Sequence, residues 1–218
     1  MSMDRGRRLI MDLRLADKTV WLVRTGDATP DLVRACLAEN GRVAFFGAAN
    51  EDTIRDIRSR LGLRLYVRDQ PASRPEFAEA IGAAARWGGV PAAVVIQLYG
   101  AEDLDDGDGW RATCAAQIDN GGALLILRMV RRRDGDDVPE TFLARRLDDD
   151  RRRGAELTKP HVRVSALGLV ADEPTRDGTV QGSGRLSEPA TCSLALFLLG
   201  RGAGQAALVS GRGFVQMW

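Results

Sequence analysis

The chain has 218 residues, 44% of them hydrophobic and 28% charged, with 31 Lys plus Arg against 30 Asp plus Glu. That length suits one well-buried domain and is short for two. A net charge of +1 gives no electrostatic reason to expect nucleic acid or an anionic membrane as partner. Lys18 and Lys159 are the only lysines, a bias better explained by a GC-rich coding sequence than by arginine-specific recognition. Cys36, Cys114 and Cys192 are odd in number and far apart, so they suit neither a disulfide framework nor a zinc site, and a reducing cytoplasm is the expected compartment.

Residues 1–12 read as a loose tail, with Met11 a candidate start, and residues 13–218 as the folded domain. Arg7-Arg8 before Leu9 and Ile10 has the outline of a twin-arginine export signal, but Asp12, Arg14, Asp17 and Lys18 interrupt any apolar core. No run approaches the roughly 18 apolar residues of a membrane span.

From residue 18 the chain reads as strand, turn, helix, strand. Residues 20–23 form a short apolar run, Leu32, Val33, Cys36 and Leu37 recur at helical spacing, and residues 43–46 are apolar again. Thr29 can cap the helix, Pro30 suits its first position, and Asn40-Gly41 can end it. Residues 53–61 read as a second helix and 63–67 as a third strand. Ser73-Arg74-Pro75-Glu76 has capping-box spacing, and Phe77, Ile81, Ala84 and Ala85 give the helix that follows an apolar stripe. Residues 90–98 read as a strand buried on both faces, as a helix-covered parallel sheet requires.

Beyond the acidic, glycine-broken residues 102–109, residues 110–118 leave room for a helix of two or three turns before a strand at 123–127. The helix predicted over 139–157 has an almost wholly charged centre. Its four i,i+4 pairs, Arg145 with Asp149, Arg146 with Asp150, Asp148 with Arg152 and Asp149 with Arg153, suit a solvated face. A sixth strand at 162–167, a loop at 172–187, a helix at 188–199 and a last strand at 207–215 complete the order. The reading is a single three-layer α/β domain, a doubly wound parallel Rossmann-like sheet of about seven strands.

This order resembles the short-chain dehydrogenase/reductase family from Leu13 onward. The local matches are Leu15-Ala16-Asp17-Lys18 before the first strand, Glu39-Asn40-Gly41-Arg42-Val43 before the second and Gly121-Gly122-Ala123 before the fifth. Glu156-Leu157 with Val162-Arg163-Val164 is similar to the family's approach to its sixth strand. Ser187-Glu188, Phe197-Leu198 and Val209-Ser210-Gly211 are similar to its C-terminal helix and strand.

The resemblance implies a glycine-rich Thr-Gly-x-x-x-Gly-x-Gly turn, yet Arg24, Ala28 and Pro30 stand where its three glycines belong. Pro30 lacks an N–H donor that a phosphate would use, and Asp27 and Asp31 place carboxylates at the positive helix end. Gly47-Ala48-Ala49 replaces the residue expected to read the ribose, and Gln97-Leu98-Tyr99-Gly100 replaces the family's Asn-Asn-Ala-Gly. The family's catalytic Ser, Tyr and Lys align with Met129, Pro139 and Leu143. The only tyrosines, Tyr66 and Tyr99, are followed four residues later by Gln70 and Asp103, so no shift of register restores the pair. No cofactor is therefore expected.

His161, the only histidine, falls at the amino edge of the sheet, away from the carboxyl edge where ligands of open α/β folds bind, and reads as a surface or capping residue. No Gly-x-Ser-x-Gly elbow exists, and Asp103, Asp105, Asp106 and Asp108 lack the spacing of a calcium loop, so no metal is expected. Candidate cleft residues at the carboxyl edge are Arg24, Thr25, Gln97, Tyr99, Arg128 and Arg131. Arg24 and Arg128 suit a carboxylate or phosphate and Tyr99 a carbonyl; the alternative is that they fill a vacated cleft with salt bridges to Asp27 or the acidic loop.

These observations lead to a catalytically degenerate homologue, a non-redox structural or regulatory subunit beside an active dehydrogenase. One alternative is a cofactor-independent cyclase, isomerase or lyase using the old cleft; another is a small-molecule sensor. Association, with itself or with an intact homologue, is expected through residues 188–218, with Leu196, Phe197, Phe214, Met217 and Trp218 as interface candidates. The family's helix-bundle contact is not expected, because residues 145–153 are charged and the helix at 110–118 is short.

Overall fold

The computed structural model describes residues 17–23, 29–38, 40–47, 56–57, 59, 62–69, 71, 73–104, 109–132, 140–172, 206–210 and 213–217. Strand β1 (Thr19–Val23) is followed by helix α1 (Thr29–Ala38) and β2 (Arg42–Phe46). A 3-10 turn (Gly62–Arg64) leads into β3 (Leu65–Arg68), then α2 (Arg74–Gly88) and β4 (Ala93–Tyr99). The second half holds α3 (Trp110–Ala116), β5 (Ala123–Arg132), α4 (Glu140–Leu157), β6 (Arg163–Asp172), β7 (Ala206–Ser210) and β8 (Gly213–Met217).

The strands form one sheet in the order β3-β2-β1-β4-β5-β6-β7-β8. All pairs are parallel except β7 with β8. The order reverses between β1 and β4, which is the switch point beside which open α/β sheets bind ligands. The predicted Rossmann-like architecture is thus present, with, among the described residues, seven parallel strands and an eighth that returns antiparallel.

Alternation along the strands divides the core in two. Val20, Leu22, Val43, Phe45, Val95, Leu125, Leu127 and Leu167 lie on one face, which the Leu32, Val33, Cys36 and Leu37 stripe of α1 covers. Trp21, Phe46, Val94, Ile96, Leu98 and Ile126 lie on the other, with Phe77, Ala80 and Ala84 of α2 and Trp110 and Cys114 of α3. Leu143 and Leu147 of α4 close that second face over Ala166 and Val170.

Three expectations need correction. The fifth and sixth strands run to Arg132 and Asp172, because β5 and β6 pair in register over ten positions from Ala123 with Arg163 to Arg132 with Asp172. The last strand, expected as one run over 207–215, is two: Ser210 pairs with Gly213, and the Gly211-Arg212 dipeptide between them is the length of a two-residue hairpin connection. Ser73 precedes α2 as expected, but its hydroxyl donates to Glu76 Oε1 at 2.9 Å instead of accepting from a helix N–H. The helix predicted over 53–61 and the helix over 188–199 fall largely or wholly outside the described residues, although residues 56, 57 and 59 are helical.

Candidate functional site

The carboxyl edge of the sheet is built from the ends of β4 and β5 and the loop that leaves β4. Tyr99 is the last residue of β4, and a tight turn follows in which Gly100 takes a φ of +54° and the Glu102 N–H donates to the Tyr99 carbonyl at 3.0 Å. The Gly100 N–H donates back to the Met129 carbonyl on β5 at 2.8 Å, so the turn remains attached to the sheet.

Arg128 lies in the middle of β5, on the face that carries Leu124 and Ile126, and is fully buried. Its Nε donates to Asp150 Oδ2 at 2.6 Å and its Nη2 to Oδ1 at 2.7 Å, a bidentate pair with a carboxylate that is itself 5% exposed. Two further N–H groups reach the loop: Nη1 donates to the Gly100 carbonyl at 2.6 Å and Nη2 to the Glu102 carbonyl at 2.9 Å. Burial pushes the Asp150 carboxyl above the usual carboxylate range, against the opposing pull of Arg128.

Two further arginines converge on the same loop. Arg111, buried at the start of α3, donates to the Asp103 carbonyl at 2.5 Å and to Glu102 Oε2 at 2.9 Å. Arg146 of α4 donates to the Ala101 carbonyl at 3.1 Å and to the Asp103 carboxylate. Glu102 Oε2 also accepts the Tyr99 N–H at 3.2 Å. Asp103, Arg146, Asp149, Asp150 and Glu156 line a hollow of about 470 Å³ between this loop and α4, with both signs of charge on its walls.

The sequence-predicted residues are distributed unevenly around this edge. Arg128 and Tyr99 meet through the loop, and Gln97, fully buried on β4, donates its amide to the Met129 sulfur on β5. Arg24, Thr25, Ala28 and Pro139 lie outside the described residues, as do Leu196, Phe197 and Trp218; Pro30 is in the first turn of α1. Leu143, at the position aligned with the family's lysine, is 1% exposed in the core beside Leu147. His161 is exposed, with a φ of +73°, in the turn before β6 at the amino edge, as expected. Among the described residues no cluster of His, Cys, Asp or Glu is arranged to hold a metal ion, and no helix is long and apolar enough to cross a membrane.

Arg111 and Asp150 are the residues that sequence reasoning missed. Asp150 was expected to pair with Arg146 on a solvated face, yet it occupies the stripe Leu143, Leu147, Asp150, Gly154, whose members are all buried. A lone charge on an apolar stripe, read together with a lone arginine in the apolar strand ALLILRMV, was the available signal, since buried charges are retained with a partner.

No protein-family model and no curated protein sequence matches the chain. Solved structures do. A short-chain dehydrogenase/reductase, glucose/ribitol dehydrogenase, from Brucella melitensis superposes with a TM-score of 0.60 at 14% identity, over 90% of this chain and 96% of that one. A dehydrogenase/reductase from Sinorhizobium meliloti 1021 gives 0.57 at 14%, over 93% and 96%. A short-chain oxidoreductase with an atypical catalytic center from Pseudomonas aeruginosa PAO1 gives 0.59 at 14%, over 90% and 97%. At these identities the likeness is one of architecture, and on it the chain has the fold of the short-chain dehydrogenases/reductases.

Proposed function

We propose that this chain is a non-redox member of that fold, a structural or regulatory subunit that works beside an intact dehydrogenase. The observation that carries the reading is Leu143. At the position aligned with the lysine that would lower a tyrosine's pKa stands a leucine sealed into the core beside Leu147, Ala166 and Val170, with no room for an ammonium group without breaking that packing. Met129 at the aligned serine offers a thioether, and Pro139 at the aligned tyrosine offers no hydroxyl.

The residues present also fit a nicotinamide dinucleotide poorly. Arg24, Ala28 and Pro30 replace the glycines that bring backbone N–H groups against a pyrophosphate, and Asp27 and Asp31 add negative charge there. Arg128, a sequence candidate for an anion, makes four hydrogen bonds within the protein, two to Asp150 and two to loop carbonyls. A chain retained for its surfaces would keep its core and lose such groups, and the replacements at the glycine turn and at the aligned Ser, Tyr and Lys support that reading.

Co-purification tests the reading. The tagged chain, expressed in its native host, should elute in one complex with a dehydrogenase that carries the glycine turn and the Tyr/Lys pair. Recovery of the chain alone, or only with copies of itself, overturns the subunit assignment. Calorimetry with NAD and with NADP should show no binding; a dissociation constant in the low micromolar range would refute the non-redox half.

A further inference from the structure

We infer that the loop leaving β4 at the carboxyl edge is locked by a three-arginine clasp, so that its shape is set by the protein itself and not by a ligand. Four consecutive carbonyls each accept an arginine N–H: Gly100 from Arg128, Ala101 from Arg146, Glu102 from Arg128 and Asp103 from Arg111. The three arginines come from β5, α4 and α3, so the loop is tied to one strand and two helices.

The charges close within the group. Arg128 pairs with Asp150, Arg111 with Glu102 and Arg146 with Asp103, three cations against three carboxylates. A loop that ordered itself around an anionic ligand would leave cations to receive it; here each cation has a carboxylate at hand and also donates to at least one loop carbonyl. Two of the three arginines are buried, so their donors can be satisfied only from inside the protein. Ordering entropy that a ligand would otherwise have to offset is already supplied by folding. The inference stands whether the chain is a subunit or a cofactor-free enzyme.

Hydrogen exchange of the full chain reads the lock directly, because the amides of Tyr99, Gly100 and Glu102 are all hydrogen-bonded within it. In Arg128→Met the peptide covering residues 99–104 should exchange faster by about tenfold or more, while peptides in β1 hold their protection, since local opening is separable from global unfolding. Arg146→Ala, which removes only the Ala101 and Asp103 bonds of a partly exposed side chain, keeps the test decisive if Arg128→Met does not fold. In it the same peptide should still exchange severalfold faster than in the parent. NAD or NADP added to the parent at millimolar concentration should leave the peptide's rate unchanged. Unchanged loop exchange in the variants, acceleration of β1 by the same factor as the loop, or slowing by either nucleotide would each overturn the clasp.

Discussion

Arg128 has Ile126 and Leu127 on one side along β5, both fully buried, so its charge persists there only because Asp150 and two carbonyls take up its donors. Buried pairs of this kind add little net stability over an apolar pair of the same volume, yet removing one partner is costly. Arg128→Met should therefore destabilise the fold by about 3–5 kcal/mol at neutral pH. The pH dependence follows from Asp150, whose carboxyl is already raised by burial and loses its opposing cation in the variant. A carboxyl raised in the folded state contributes stability below its unfolded pKa that is lost as pH rises through the folded value. The variant should thus come closest to the parent in mildly acidic buffer and fall furthest behind it in alkaline buffer, as thermal melts across that range will record. A gap that widens toward acid would contradict this assignment of the charge.

Gly122 sets a second limit at the residue scale. A Cβ there would stand 2.5 Å from the Ala92 carbonyl oxygen and 2.6 Å from Ile118 Cγ2, and the backbone carbonyl cannot move without breaking its bond from the Ala123 N–H. Gly122→Ala should cost about 1–3 kcal/mol, the usual range for overpacking, seen as a lower urea midpoint at unchanged slope.

At the scale of the element, α4 shows why charge patterns mislead. Its sequence predicts a solvated helix laced by i,i+4 pairs, and of these Asp148 and Arg152 approach to 3.4 Å, while Arg153 pairs instead with Glu156, three residues on, at 2.8 Å on the exposed side. The inward stripe was legible too, since Leu143, Leu147 and Gly154 share it, but Asp150 was assigned by its neighbour in sequence and not by its face. Local spacing allowed Asp150 to pair with Arg146; tertiary packing gave it to Arg128, twenty-two residues away. Replacing a charge on the outer face should consequently matter little. Arg153→Ala is expected to shift stability by less than about 0.5 kcal/mol, since exposed pairs lose in side-chain entropy most of what they gain in Coulomb energy. A loss comparable to that of Arg128→Met would mean that the outer face is also buried, for example against a partner.

For the whole molecule, period and order in the sequence were enough for the architecture, because apolar runs at β1, β2, β4 and β5 and the stripes on α1 and α2 have one arrangement that buries them all: helices on both faces of a parallel sheet. The ends of the sheet were less legible, since the antiparallel return of β8 onto β7 follows from which strand is last and not from any local period. That hairpin bears on assembly. β8 ends the strand order, so one of its edges faces β7 and the other faces no described strand, and its sequence, Gly-Phe-Val-Gln-Met, carries neither charge nor proline. Proteins ordinarily blunt a free edge with lysine, proline or a bulge; β8 has only the last, a register shift in its pairing with Leu208 and Val209, and its uncharged sequence is suited to a partner. Association through residues 188–218 therefore remains the proposal. Light scattering after size exclusion should give a smaller mass for a chain lacking residues 214–218 and for Trp218→Ala, the second variant being included because the deletion also removes most of β8 from the sheet. A chain that keeps its circular dichroism and the parent's oligomeric mass in both forms would move the interface elsewhere, and the outer face of α4 would be the next surface to test.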